Sequence, residues 1–361
     1  MKKYLITGCA GFIGSNFVHY MLKKYKDILL VNLDKLTYAG NLENLKDIED
    51  DSRHVFIQGD ICNKELVAEL FEKYDFDYVI NFAAESHVDR SILNPEIFVQ
   101  TNVMGTLNLL QRAKEAWYDP ETKKWKEGRK YLQVSTDEVY GALGDEGYFT
   151  ETTPLNPHSP YSSSKASADH FVKAFHDTYD MPINITRCSN NYGPYQFPEK
   201  LIPLMINNVR QHRQLPVYGD GMQIRDWLYV EDHCKAIDMV LNNGKIGEVY
   251  NVGGHNERSN IFIVKTIIEQ LRDRLQDEGI SEELIRHVED RLGHDRRYGI
   301  DPTKIQNDLG WYPETPFEKG IVLTIEWYLE NEEWMSNVTS GNYQKYLSLI
   351  HISEPTRLQL I

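Results

Sequence analysis

Thr7-Gly8-Cys9-Ala10-Gly11-Phe12-Ile13-Gly14 is the stretch that decides the fold. It follows a short apolar run over residues 4–7 and opens an amphipathic helical pattern over residues 12–25. Glycine at positions 8, 11 and 14 permits a tight turn, lets the backbone approach a pyrophosphate and allows close helix–strand packing. A helix that begins there points its free N–H groups and positive dipole end at the phosphates. A glycine triplet alone is weak evidence, because turns use glycine for many reasons. Its context strengthens it. The next apolar run, residues 28–33, ends in Asp34, twenty residues beyond Gly14. A carboxylate there accepts hydrogen bonds from the adenosine ribose hydroxyls and repels a 2′-phosphate, which favours NAD over NADP. Asp60-Ile61, after the third run, is placed for the adenine, and Ala83-Ala84, after the fourth, for the remaining cofactor wall. Phe12, Ile13, Lys35, Thr37 and Thr101 complete the expected cofactor set.

Outward from this motif, strand-like and helix-like segments alternate. Apolar runs at 54–58, 78–82, 131–135 and 183–186 are separated by helical patterns at 64–74, 95–117 and 161–179. Strands without polar alternation, separated by helices, predict an α/β fold of Rossmann type, a doubly wound parallel sheet covered on both faces. From about residue 192 proline and glycine become frequent and the alternation lapses. The expected division is a NAD-binding domain over 1–191, to which 227–252 returns, and a smaller interleaved α/β substrate-binding domain over 192–226 and 253–346. Residues 347–361 read as a tail with no assigned role.

The chain has 361 residues, 41% of them hydrophobic, and a formal net charge of −15. A field of that sign repels nucleic acid and anionic membrane, so neither is an expected partner. It still admits a phosphate-bearing small molecule, held by local Arg and backbone N–H groups. No run of about 18 apolar residues exists to span a bilayer. Four cysteines lie far apart without a CxxC pair, which fits a reducing cytoplasm and gives no metal site.

Tyr161-Ser162-Ser163-Ser164-Lys165 puts a phenol and an ammonium four residues apart on one helix face. The ammonium, with a positive nicotinamide ring nearby, is expected to lower the phenol pKa toward use as a base. Ser135-Thr136-Asp137-Glu138-Val139-Tyr140-Gly141 lies at the carboxyl end of the fifth strand, where ligands of open α/β sheets gather. These motifs resemble the extended short-chain dehydrogenase/reductase family. The Ser-Thr-Asp-Glu-Val-Tyr-Gly block resembles the dTDP-glucose 4,6-dehydratases within it. So do Asn32–Asn41, Asn81–Asp89, Arg187–Pro194 and Gly293–Tyr298. The resemblance runs from residue 2 to roughly 345.

It implies a catalytic set of Thr136, Asp137, Glu138, Tyr161 and Lys165, with Tyr161 and Lys165 also touching NAD. In that scheme Tyr161 deprotonates the hexose C4 hydroxyl as hydride leaves C4, and Thr136 orients that hydroxyl. Glu138 removes the C5 hydrogen, and protonated Asp137 helps the C6 hydroxyl leave as water. The sequence itself supplies two carboxyls at one strand end. Successive strand residues point to opposite faces, so both acids reach one sugar only if the backbone bends there. The resemblance also implies substrate contacts from Ser86, His87, Asn191, Glu199, Lys200, Leu201, Tyr218, Arg225, Asn260, Arg291, His294 and Tyr298. Arg225 suits a bidentate grip on the substrate diphosphate, although a salt bridge to neighbouring acids fits it equally.

Val99, Val103, Leu107 and Leu110, with Met104 beside them, make a wide apolar stripe. Together with Ala166, Phe171, Val172 and Phe175 it points to a homodimer through paired helices. A nucleotide-sugar 4-epimerase is the nearest rival, but it needs no acid pair for C5 and C6. A dehydratase for another nucleotide sugar and a non-catalytic NAD-binding sensor are the others.

Overall fold

The apolar runs become parallel strands in a computed structural model that describes residues 1–290 and 294–340. Arg291 and the tail at 347–361 lie outside the described residues. The strands of the two larger sheets are β1 (Lys2–Thr7), β2 (Ile28–Asp34), β3 (His54–Gln58), β4 (Tyr78–Asn81), β5 (Lys130–Thr136), β6 (Ile183–Cys188), β7 (Asn190–Tyr192), β8 (Ile224–Tyr229), β9 (Val249–Val252) and β10 (Glu257–Ser259). Seven of them form one parallel sheet in the order β9-β6-β5-β4-β1-β2-β3. The order reverses between β1 and β4, and a crevice opens at that switch point beyond the strands' carboxyl ends.

Alternation along each strand builds two cores from one sheet. In β1, Tyr4 and Ile6 face a cluster that includes Phe17 and Val18 of α1 (Phe12–Lys24). Leu5 faces the opposite cluster, with Val67 and Leu70 of α2 (Lys64–Tyr74), Leu109 and Leu110 of α3 (Thr106–Trp117) and Val172 of α4 (Pro160–Tyr179). Ile237 and Val240 of α5 (Val230–Asn243) complete the first face. Ser159 starts α4 with a reciprocal capping box to Ser162, and Pro160 fits its first turn.

The chain leaves the central sheet after Cys188. β7 diverges from β6, and β8 pairs with β7 and β10 in a separate three-stranded sheet. Residues 227–229, expected to return to the central sheet, therefore lie outside it; the return runs through α5 to β9, which pairs with β6. A third core beneath the small sheet joins Tyr192, Ile206, Trp227, Ile267, Phe317 and Ile321.

The helix expected over 95–117 is interrupted. Pro95–Phe98 is α-helical, Val99–Gly105 is a π turn, and α3 follows. Leu110, Ala166, Val172 and Phe175, read from sequence as part of an outward stripe, are buried within this chain; Val99, Met104 and Phe171 are exposed. For Leu110 the π turn rotates one stretch of the stripe relative to the other, so a single helical wheel misassigns the face; Ala166, Val172 and Phe175 lie on the inner face of α4 and pack into the core. Among the described residues no helix is long and apolar enough to cross a membrane.

Candidate active site

The glycines form a cradle that admits no side chain. Gly8 has φ +70°, and a Cβ there would lie 2.6 Å from the Ala83 nitrogen. A Cβ on Gly14 would lie 2.2 Å from the Gly8 carbonyl oxygen. Gly11 caps α1 without a side-chain bond, and the first turn carries no acid, so the helix's N-terminal N–H groups face the crevice. Asp34 ends β2 and is buried; its Oδ2 accepts the Ala10 N–H at 2.9 Å and its Oδ1 the Leu36 N–H at 2.8 Å. Burial pushes this carboxyl above its usual range, and those two N–H groups oppose the rise. Gly40 folds over it so closely that a Cβ would sit 2.7 Å from Oδ1. A backbone cradle at a helix start and a carboxylate beyond it fit a dinucleotide's pyrophosphate and ribose. Lys35 pairs with Asp60 at 2.7 Å across the adenine end. Phe12, Ile13, Thr37, Ile61, Ala83, Ala84 and Thr101 line the same cavity.

At the far end of the cavity stand Thr136, Asp137, Glu138, Tyr161 and Lys165. The bend that the two acids need is present. β5 stops at Thr136 and a tight turn, Asp137–Tyr140, begins, capped by the Thr136 hydroxyl accepting the Glu138 N–H at 3.3 Å. Asp137 is 1% exposed, and its Oδ1 lies 3.2 Å from the Thr136 Oγ1. Burial lifts its carboxyl to about 8, with the negative charges of Glu138 and Asp226 adding and Arg225 opposing. Asp137 is thus the protonated partner near neutral pH.

Tyr161 is buried. Burial drives its phenol well above the ordinary value and Glu138 adds to that, while the Thr136 hydroxyl pulls it down. Lys165, buried, donates to the Val134 carbonyl oxygen at 2.8 Å. Burial lowers its pKa and the Asp169 carboxylate resists. The expected lowering of the phenol, by Lys165 and a positive nicotinamide ring together, has this desolvation to oppose.

The expected substrate residues separate into two groups. Ser86, Asn191, Glu199 and Lys200 line the cavity. Asn191 is held by its amide N–H to the Ser189 carbonyl at 2.9 Å and by His233 Nδ1 on its Oδ1 at 2.9 Å. His87 is a buried cap, accepting the Arg90 N–H at 3.4 Å with Glu199 3.9 Å from its other ring nitrogen. Leu201 opens the next helix, Leu201–Arg210. Tyr218, Arg225, Asn260, His294 and Tyr298 gather around the small sheet instead. Tyr218 and His294 pack ring to ring at 6.2 Å, and the Asn260 N–H bonds the Gln223 carbonyl at 3.0 Å. Arg225 donates to the Ile224 and Asp295 carbonyl oxygens and lies 4.2 Å from the Tyr298 ring centre. Its charge acts on Asp137, and Glu138 acts on Tyr298, so this pair lies near the two acids.

Cys188 and Ser189, inside the Arg187–Pro194 block, also line the cavity, and Gln196 and Phe197 join them without a motif signal. Asn102, an amide within the helical run, has no motif that marks it. It is 2% exposed, brackets the Glu85 backbone with bonds of 2.8 and 3.0 Å, and donates to the Ser164 hydroxyl at 2.8 Å.

A dinucleotide cradle that ends at a buried Tyr–Lys pair defines the short-chain dehydrogenase/reductase class of enzyme, and the unequal acids turned in beside that pair narrow it to the dehydratases. A family model described as GDP-mannose 4,6 dehydratase matches residues 5–324. The dTDP-glucose 4,6-dehydratase of Xanthomonas campestris pv. campestris (strain B100) is 53% identical over 348 residues, covering 95% of this chain and 98% of that one. The crystal structure of the Bacillus anthracis str. Ames dTDP-glucose 4,6-dehydratase in complex with NAD superposes with a TM-score of 0.83 at 49% identity, covering 94% and 100% of the two chains. That of the Streptomyces venezuelae dTDP-glucose 4,6-dehydratase, also with NAD bound, gives 0.85 at 43% identity, covering 93% and 99%. The chain belongs to the dTDP-glucose 4,6-dehydratase family.

Proposed function

We propose that the protein is an NAD-dependent lyase that converts dTDP-glucose to dTDP-4-keto-6-deoxyglucose. The observation that carries this reading is the inequality of the two adjacent acids. Asp137 is buried and pushed up to about 8, so it holds a proton near neutral pH, while Glu138 beside it is only partly buried. Eliminating water across C5–C6 needs one group of each kind, and a 4-epimerase needs neither.

Each residue then has one task. Tyr161 takes the proton of the C4 hydroxyl, which Thr136 orients. When bound along Gly8, Gly11, Gly14 and Asp34, NAD supplies the oxidising and reducing capacity used at C4 and C6. A ketone at C4 acidifies the C5 hydrogen, and Glu138 removes it. Asp137 gives its proton to the C6 hydroxyl, which departs as water. Lys165, fixed on the Val134 carbonyl, supplies positive charge on the helix face that carries Tyr161. Ser86, Asn191, Glu199 and Lys200 are assigned to the sugar nucleotide, with Arg225 and Tyr298 at its other side.

A homodimer is part of this proposal. Val99 (51% exposed), Met104 (45%) and Phe171 (39%) are large apolar groups left on neighbouring helices, the kind of patch a second copy covers. The cytoplasm is the proposed compartment; all four cysteines are free thiols, as in a reducing environment.

The deciding experiment incubates the purified protein, without added NAD, with a mixture of nucleotide hexoses in heavy water. Mass spectrometry is expected to show dTDP-glucose alone losing one water and gaining one solvent deuterium. An isobaric C4 epimer would overturn the lyase reading in favour of the epimerase.

A further inference from the structure

Arg187 stands between the two catalytic elements and touches both. It lies on β6 in register with Ser135 of β5 and is 6% exposed. Its Nε donates to Asp169 Oδ2 at 2.9 Å and its Nη1 to the Tyr140 hydroxyl at 3.0 Å, with the guanidinium 4.9 Å from the Tyr140 ring centre. Asp169, 1% exposed, sits one helical turn beyond Lys165 and two beyond Tyr161 on α4. Tyr140 closes the turn that starts with Asp137 and donates to Asn251 Oδ1 at 2.8 Å. The Asn251 N–H in turn donates to Glu151 at 2.8 Å. A buried polar chain thus joins the helix carrying the phenol and ammonium to the turn carrying the two acids.

Such a chain is costly to bury, and apolar side chains of the same volume would hold the fold as well or better. What they would not supply is a fixed distance and direction. The proposed reaction needs that fixity, because bases acting at C4 and C5 and an acid acting at C6 must meet one hexose within a fraction of an ångström. The carboxylate of Asp169 also supports the Lys165 ammonium against burial. Tyr131, Tyr140, Cys188 and Arg187 are the other titratable or charged groups facing this pair.

We infer that Asp169, Arg187 and Tyr140 are positioning residues that fix the Tyr161–Lys165 pair relative to the Asp137–Glu138 pair, so that elimination keeps pace with oxidation. This inference rests on the lyase reading.

Wild-type protein is assayed first on dTDP-glucose; absence of water loss there defeats the lyase reading. Tyr140→Phe then removes one hydroxyl and keeps the ring on Arg187, while Asp169→Asn removes one charge and keeps the shape. In Tyr140→Phe, kcat is expected to fall about tenfold, part of the hundredfold that ångström-scale misplacement costs, with KM and bound NAD within about twofold. Reduced nicotinamide absorbance builds up during turnover in both variants, a signal that a merely structural role would not produce. Wild-type kcat without that build-up in both overturns the inference. So does an unfolded Asp169→Asn beside a Tyr140→Phe that turns over normally, since the ion pair then serves stability alone.

Discussion

Oδ1 of Asp137 lies 3.2 Å from Oγ1 of Thr136, and the same hydroxyl accepts the Glu138 N–H that starts the turn. One side chain therefore ends the strand, bends the backbone and contacts the proposed acid. Because burial, Glu138 and Asp226 lift Asp137 to about 8, its proton is present below that pH and lost above it. Turnover is expected to fall as pH rises through about 8. A pH–kcat profile checks this, and a profile still flat well above that point removes Asp137 from the role of acid.

The same shift has a stability consequence of definite sign. The folded carboxyl binds its proton up to about 8, whereas an unfolded Asp releases it near about 3.9. Folding stability from this group is complete below the unfolded value and is lost progressively as pH rises to the folded one. Asp137→Asn cannot ionise and escapes that loss. Its melting temperature is expected to exceed that of the wild type at the alkaline end of the window, with the gap closing toward the acid end. Thermal melts across the window settle it; a constant gap would mean that Asp137 is not buried as an acid.

Glu138→Gln separates the proton transfers. With no carboxylate to take the C5 hydrogen, product formation is expected to drop by about a hundredfold or more. Oxidation at C4 uses Tyr161 and is retained, so reduced nicotinamide accumulates while no solvent deuterium enters the sugar. Deuterium at C5 in this variant would assign the base elsewhere.

The sequence made the nucleotide half of the site legible and the sugar half only partly so, for a physical reason. Gly8, Gly11, Gly14 and Asp34 act through local backbone geometry at a strand–helix junction, so spacing along the chain encodes them. Tyr161 and Lys165 share a helix face and are encoded in the same way. Arg225 is different: its partners are carbonyl oxygens of Ile224 and Asp295 and the ring of Tyr298, and two of those three lie far along the chain. The four-residue interval from Tyr161 to Lys165 reports a shared helix face and says nothing of the burial of both. The π turn at Val99–Gly105 is not legible because its residues keep an ordinary helical pattern.

Gly14→Ala tests the cradle through space alone. The new methyl would stand 2.2 Å from the Gly8 oxygen, and the atom it meets is backbone that cannot swing aside. Overpacking of this kind costs about 1–3 kcal/mol, and it also moves the N–H groups facing the pyrophosphate. The variant is expected to purify with little NAD and to melt several degrees lower. Full cofactor content, read from the absorbance of the denatured supernatant, would count against the cradle.

Phe171 and Met104 test the assembly. Each is a large apolar side chain left on the surface of a helix flanking the sheet, at 39% and 45% exposure. If a second copy covers them, a buried charge there has no partner, and desolvating an unpaired carboxylate costs several kcal/mol. A Met104→Glu/Phe171→Glu double variant is expected to shift from dimer to monomer mass in light scattering while keeping its far-UV spectrum. Because the expected cofactor residue Thr101 lies in the same π turn as Met104, loss of the contact is also expected to loosen NAD. A wild type that already runs as a monomer at micromolar concentration would leave the patch as ordinary exposed surface and refute the dimer.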